Sequence, residues 1–243
     1  MIKNTKMTSA VLLIGAALTM GACGTTSKML SKAPKASNNS PIVRVDEAID
    51  NNYLILSDAQ RAIVKNNNTF AFQLFDKVSN QSSQVVSPLS VAYLMGMLAN
   101  GADGTTRQEI LKAIGCEGVA LKDLNETYRA ILSTAGKLDK QTTVDIANYI
   151  AVNKKYEVSK DFARQVSNDY QAGIERLDFS SPSSLERING WCHDKTHGMI
   201  SKIIDQVEPM AVSYWMNAIY FNGTWQKKFD AKFTKKENFR GYT

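Results

Sequence analysis

Between Val212 and Phe221 the chain reads Val-Ser-Tyr-Trp-Met-Asn-Ala-Ile-Tyr-Phe, apolar or aromatic at most positions and free of charge. A half-exposed strand alternates polar with apolar residues, whereas a near-continuous apolar run suits a strand covered on both faces. This stretch therefore predicts a buried strand in the middle of a layered domain. One amide, Asn217, lies inside the run. Burying an amide without partners costs on the order of 1–3 kcal/mol, so Asn217 is expected to join a polar network. Asn222-Gly223 is a turn dipeptide that ends the strand, with Trp225 just beyond.

The preceding residues supply alternating helix and strand patterns. Asp58 is placed to cap a helix beginning near Ala59, whose dense apolar set (Ile63, Phe70, Phe72, Leu74, Phe75, Val78) predicts a mostly buried element that Asn66-Asn67-Asn68 kinks or divides. A β-like pair, Val85-Val86, precedes Ser87-Pro88, a helix start with proline in the first turn. From Leu89 to Asn100 the pattern is apolar nearly all round, which predicts a helix in the interior, stopped by Gly101. Further helices are predicted over 106–114 with Gly115 as the stop, 121–138, from a Ser159 cap to Tyr170, and from Pro182 to near Gly198. Strands are predicted over 142–152 and 174–179. The fold class is α+β.

Two blocks carry a family resemblance. Asn217-Ala-Ile-Tyr-Phe-Asn-Gly-Thr-Trp225, with Phe229, Thr234 and Phe239, resembles the central sheet strand and breach region of the serpins, and Ser87-Pro-Leu-Ser90 with Gly101–Leu111 resembles that family's helices B and C. Ile188-Asn189-x-Trp191 followed by Thr196-His-Gly-Met-Ile200 is similar to the helix that crosses the front of sheet A. The resemblance spans roughly residues 58–243. It implies a serpin fold, about nine helices and three sheets when complete, of which this chain would hold helices A–F and strands of sheet A, the C-terminal part being absent. It also implies that Ser87, Ser90 and Asn217 form the shutter, a polar cluster under sheet A that governs separation of the central strands, and that Trp225 is the breach tryptophan.

The activity so implied is suicide-substrate inhibition of a serine or cysteine protease. The protease attacks a reactive loop, and the cleaved loop inserts into sheet A beside the strand containing Asn217, distorting the protease before deacylation. By the same resemblance the chain ends before the reactive loop, so no reactive-site residue is expected in it, and the chain alone is expected to be inactive. The alternative is a non-inhibitory interaction or scaffold protein on the same fold.

Residues 1–22 read as a leader: Lys3 and Lys6, then an apolar stretch from Ala10 to Met20 too short to span a membrane, then Met20-Gly21-Ala22-Cys23. The last four residues resemble a bacterial lipobox, which implies acylation of Cys23 and a lipid anchor in the cell envelope. Residues 23–50 are a polar tether and 51–243 the serpin-like domain. Formal charge is +6, and removing Lys3 and Lys6 leaves +4, too modest a balance to argue for nucleic acid. A monomer without a cofactor is expected. Lys227-Lys228 and Lys235-Lys236 read as solvated faces. Cys116 and Cys192 are equally compatible with a disulfide and with free thiols.

An enzyme is the competing class. His193 and His197 stand four apart on a predicted helix, beside Cys192 and Asp194, a spacing that invites a zinc hydrolase. They are the only two histidines, so a third ligand would have to be a carboxylate or Cys192. Ser87 and Ser90 lie outside any Gly-x-Ser-x-Gly, and no Ser-x-x-Lys occurs in the chain. For them a helix cap and a buried hydroxyl are the plain reading. No catalytic residue and no metal site is assigned.

Overall fold

The computed structural model describes residues 54–79, 84–137, 140, 142–225, 227, 230–233 and 235–238. The leader at 1–22, Cys23, the tether at 23–50, Lys228, Phe229, Thr234 and Phe239 lie outside the described residues. The elements run α1 (Asp58–Val78), α2 (Pro88–Gly101), α3 (Gly104–Ala113), α4 (Leu121–Ala135), β1 (Thr142–Asn153), α5 (Lys160–Tyr170), β2 (Ala172–Leu177), α6 (Pro182–Lys195) and β3 (Ser213–Gly223), with a short 3-10 turn at Ala231–Phe233.

Local chemistry explains most of the boundaries and corrects several expectations. Ser57, rather than Asp58, caps α1: its Oγ accepts from the Gln60 amide at 3.2 Å while Gln60 Oε1 accepts from the Ser57 amide at 2.9 Å. This reciprocal pair satisfies two of the donors that a helix N-terminus leaves open. Asn66-Asn67-Asn68 neither kinks nor divides α1, which runs on unbroken. Asn67 instead works across the interior, donating to the Ile114 carbonyl and accepting from the Tyr128 hydroxyl. Nor is α1 mostly buried. Ile63 packs inward, but Phe72 is 77% exposed and Phe75 52%. Val85-Val86 forms no strand. The fourth helix ends at Ala135, where Gly136 takes over, and the second strand lies two residues earlier than the pattern suggested, at Ala172–Leu177.

The three strands form one mixed sheet in the order β2-β1-β3, with β1 parallel to β2 and antiparallel to β3. Side chains alternate across it. Ile146, Ile150, Val152 and Trp215 face a core built with α1–α5. Tyr149, Ala151, Tyr214, Met216 and Ala218 face a second core with Ile188, Trp191 and Cys192 of α6. The sheet is thus a middle layer. In the first core Tyr93, Tyr128 and Tyr170 meet ring to ring, with centroids 4.9–6.3 Å apart. Gly96 makes that possible, since a Cβ there would stand 2.6 Å from Tyr170 Oη and 2.8 Å from Tyr128 Cε2.

The strand β3 is covered on both faces only in its first half. Residues 213–218 are buried or nearly so, and the strand then emerges, with Phe221 40% exposed. The apolar run continued to Phe221 because aromatic side chains tolerate a half-exposed face, so periodicity alone did not mark where cover ends.

Candidate functional site

Ser87 sits at the N-cap of α2, where its Oγ accepts from the Ser90 amide at 3.3 Å. The two hydroxyl oxygens lie 2.8 Å apart, and Ser90 is 1% exposed. Asn217 is wholly buried on the sheet face shared by Trp215, toward the α1–α5 core. Its amide donates to Asn148 Oδ1 at 2.8 Å, and Asn148 in turn donates to the Tyr170 carbonyl at 2.7 Å. The chain of bonds ties β3 to β1 and β1 to the end of α5. Asn148 and Asn217 stand directly opposite in the β1–β3 ladder, which is why two short amides reach each other.

The polar network expected for Asn217 is therefore present, and its partner is Asn148, which sequence reasoning did not single out. The signal was available: Asn148 too is an amide inside an apolar run, between Ala147 and Tyr149. Asn217 Oδ1 is buried and has no hydrogen-bond partner among the described residues. The helix α2 contacts β3, but no hydrogen bond among the described residues joins the serine pair to Asn217. The structure thus forms two polar pairs, one in α2 and one in the sheet. Trp225 lies past the end of β3 and is 62% exposed.

The histidines do not share a helix face. The sixth helix stops at Lys195, and His197 follows in the left-handed region at φ 52°. Its ring lies against Tyr220 at a tilt of 32° with centroids 4.1 Å apart, and its Nε2 lies 2.8 Å from Asp145 Oδ2. His193 Nδ1 lies 3.3 Å from Asp194 Oδ1. No group of three or more metal-binding side chains converges among the described residues. Cys116 and Cys192 are free and buried in different cores. Burial pushes the Cys192 thiol up to about 11 and raises Cys116 as well, the Asn67 hydrogen bond opposing the shift at Cys116. Neither is poised as a nucleophile at neutral pH.

Residues 65–242 match the model of the Serpin (serine protease inhibitor) family. This chain belongs to the serpin family. The protein named Serine protease inhibitor 42Dd of Drosophila melanogaster is 30% identical over 172 residues, which cover 70% of this chain and 46% of that protein. Serpin B6 of Bos taurus is 30% identical over 187 residues, covering 74% of this chain and 50% of its own length. Among solved structures, the thermophilic serpin tengpin in its native state superposes with a TM-score of 0.65 at 30% identity, over 73% of this chain and 45% of tengpin. Its latent state gives 0.65 at 29%. The helices and small mixed sheet described above are accordingly part of a serpin fold. The chain spans about half the length of the curated relatives it matches.

Proposed function

We propose that this protein is a serpin-type inhibitor of a serine or cysteine protease, acting by insertion of a cleaved reactive loop beside β3. One observation carries the reading. Residues 65–242 match the serpin (serine protease inhibitor) family, and the strand that resembles the family's central strand is here β3, paired with β1 along its length. A segment inserting beside it would add its own row of backbone donors and acceptors to the sheet. In this reading the Ser87–Ser90 pair on α2, which contacts β3, and the Asn217–Asn148 pair within the sheet act as the shutter, and Trp225 beyond the end of β3 as the breach residue. Asn217 Oδ1, buried without a partner among the described residues, is the acceptor that a rearranged shutter would satisfy.

From the leader-like residues 1–22 and the lipobox-like Met20–Cys23 we infer a protein exported to a bacterial cell envelope and held there through acylated Cys23, with 23–50 as tether. No helix among the described residues is long and apolar enough to cross a membrane. Its partners are the target protease and the membrane, and it acts as a monomer.

The test starts from the native product in the membrane fraction of its source cell. Incubation with elastase-like, trypsin-like and papain-like proteases should give a covalent complex that survives denaturing electrophoresis. Cleavage of the protein without any such complex would refute inhibition and leave a non-inhibitory binding role. Radiolabelled fatty acid should enter the wild type and not Cys23→Ser.

A further inference from the structure

Three Asn-Gly dipeptides occur in the chain: Asn100-Gly101, Asn189-Gly190 and Asn222-Gly223. Asparagine before glycine is chemically labile, because a residue without Cβ lets its backbone nitrogen come close to the preceding side-chain amide carbon. The dipeptides are alike; their settings in the fold are not.

Asn100 lies in the last turn of α2 and Asn189 within α6, where the N–H of the following glycine points back along its own helix. Both side chains are also held. Asn100 donates to the Gly96 carbonyl at 2.8 Å and exchanges two bonds of 2.9 Å with Asn125. Asn189 accepts from the Ile203 and Ile204 amides at 2.8 and 3.1 Å and donates to the Ile204 carbonyl at 3.0 Å. Either amide carbon reaches the next nitrogen only if those bonds and a helical turn break together. Asn222 is held far less. It and Gly223 are exposed at the end of β3, opposite Thr143 and Thr142, the terminal steps of the β1–β3 ladder. The Asn222 side chain donates to Tyr220 Oη at 3.2 Å, an exposed bond. The end of a ladder opens at far lower free energy than a packed helix.

We propose that Asn222 is a site of spontaneous deamidation in the folded protein, selected over Asn100 and Asn189 by its place at the open end of the ladder. When the terminal pairs open, the Gly223 nitrogen attacks Asn222 Cγ. A bond forms between them, the bond from Cγ to Nδ2 breaks, and Nδ2 leaves as ammonia with the proton that the Gly223 nitrogen sheds. The cyclic imide then takes up one water, which opens either of its carbonyl–nitrogen bonds to give aspartate or isoaspartate at 222. Nothing is oxidised, and water is the one co-reactant. Side chains alternate along a strand, so position 222 shares the α6 side of the sheet with Tyr220 and Asp145, where His197 lies. The product sets a second carboxylate diagonal to Asp145. In isoaspartate the side-chain carbon enters the backbone, so the pairs with Thr143 and Thr142 lose register. The inference does not depend on the inhibitory reading.

The full chain is aged at low concentration in native buffer and in urea, and each Asn-Gly site is followed by peptide mapping with mass spectrometry and isoaspartate-specific methylation. In native buffer, conversion at 222 should outrun that at 100 and 189 by about tenfold or more. In urea the three sites should convert at similar rates. Asn222→Gln should remove the product, since a longer side chain enlarges the ring and slows its closure. Gly223→Ala should slow it: the added Cβ would stand 2.9 Å from Cζ of Phe221, whose exposed ring can yield. Aged wild type should exchange amide hydrogens at 142–144 faster than aged Asn222→Gln. Conversion at 222 no faster than at 100 or 189 in native buffer, or a product undiminished in Gly223→Ala, would overturn the site. Equal selectivity in urea would trace the preference to local sequence and overturn its origin in the fold, and unchanged exchange at 142–144 would overturn the loss of pairing.

Discussion

Asn148 and Asn217 show how much a pair of residues decides. Each amide is buried; Asn148 is satisfied by Asn217 and the Tyr170 carbonyl, while Asn217 gains a partner for its Nδ2 alone. Asn148→Ala removes one member and strands two buried groups, so it should lower stability by about 1–3 kcal/mol for each group left unpaired. Urea unfolding of the two proteins measures it. The buried thiols give a second expectation. Cys116 and Cys192 should resist alkylation near neutral pH in the folded protein and react once it is unfolded. The raised Cys192 thiol also has a sign. The folded state holds its proton more tightly than the unfolded chain, so the contribution is fully present below the unfolded value and is lost as pH rises through about 11. Stability should therefore fall less with rising alkaline pH in Cys192→Ala than in the wild type, as read from unfolding midpoints.

At the scale of elements, caps and close approaches set the boundaries. Ser57→Ala removes half of the α1 capping box and should cost about 1 kcal/mol. Gly96→Ala drives a methyl group into two tyrosine rings and should cost more, about 1–3 kcal/mol, because α2, α4 and α5 all meet there. Asp145→Asn, by contrast, weakens a half-exposed contact with His197 and should cost under about 1 kcal/mol. Thermal unfolding should show Gly96→Ala as the most destabilised of the three, then Ser57→Ala, then Asp145→Asn. The sixth helix makes the same point about ends: the His193–His197 spacing looked like one helix face, but the helix terminates at Lys195 before the second histidine arrives.

For the molecule as a whole, the open surfaces matter most. Phe72 and Phe75 of α1, Phe221 of β3, Trp225 and Phe233 are all substantially exposed. Apolar area of this kind marks contact surface, or a liability when uncovered. The 243-residue chain purified alone should bind a hydrophobic dye and self-associate as concentration rises, followed by light scattering. A monomer that neither binds dye nor associates would contradict this.

What was legible beforehand follows from which forces are local. Periods of 3.6 and 2 residues, proline in a first turn and glycine after a last one are properties of neighbouring residues, so the order of six helices and three strands could be read off. Ser87 as a cap and Asn217 as a networked amide were legible for the same reason: each breaks a local pattern. Which amide Asn217 meets was not, since Asn148 is distant in sequence and faces it only through the strand register. Where β3 loses its cover was not legible either, because burial depends on which helices lie above it rather than on its own residues. The serpin membership was written in the residues themselves; that β2 begins at Ala172, opposite Asn148, is fixed by the packing of α5 and the turn at Gln171, a constraint that tertiary structure alone imposes.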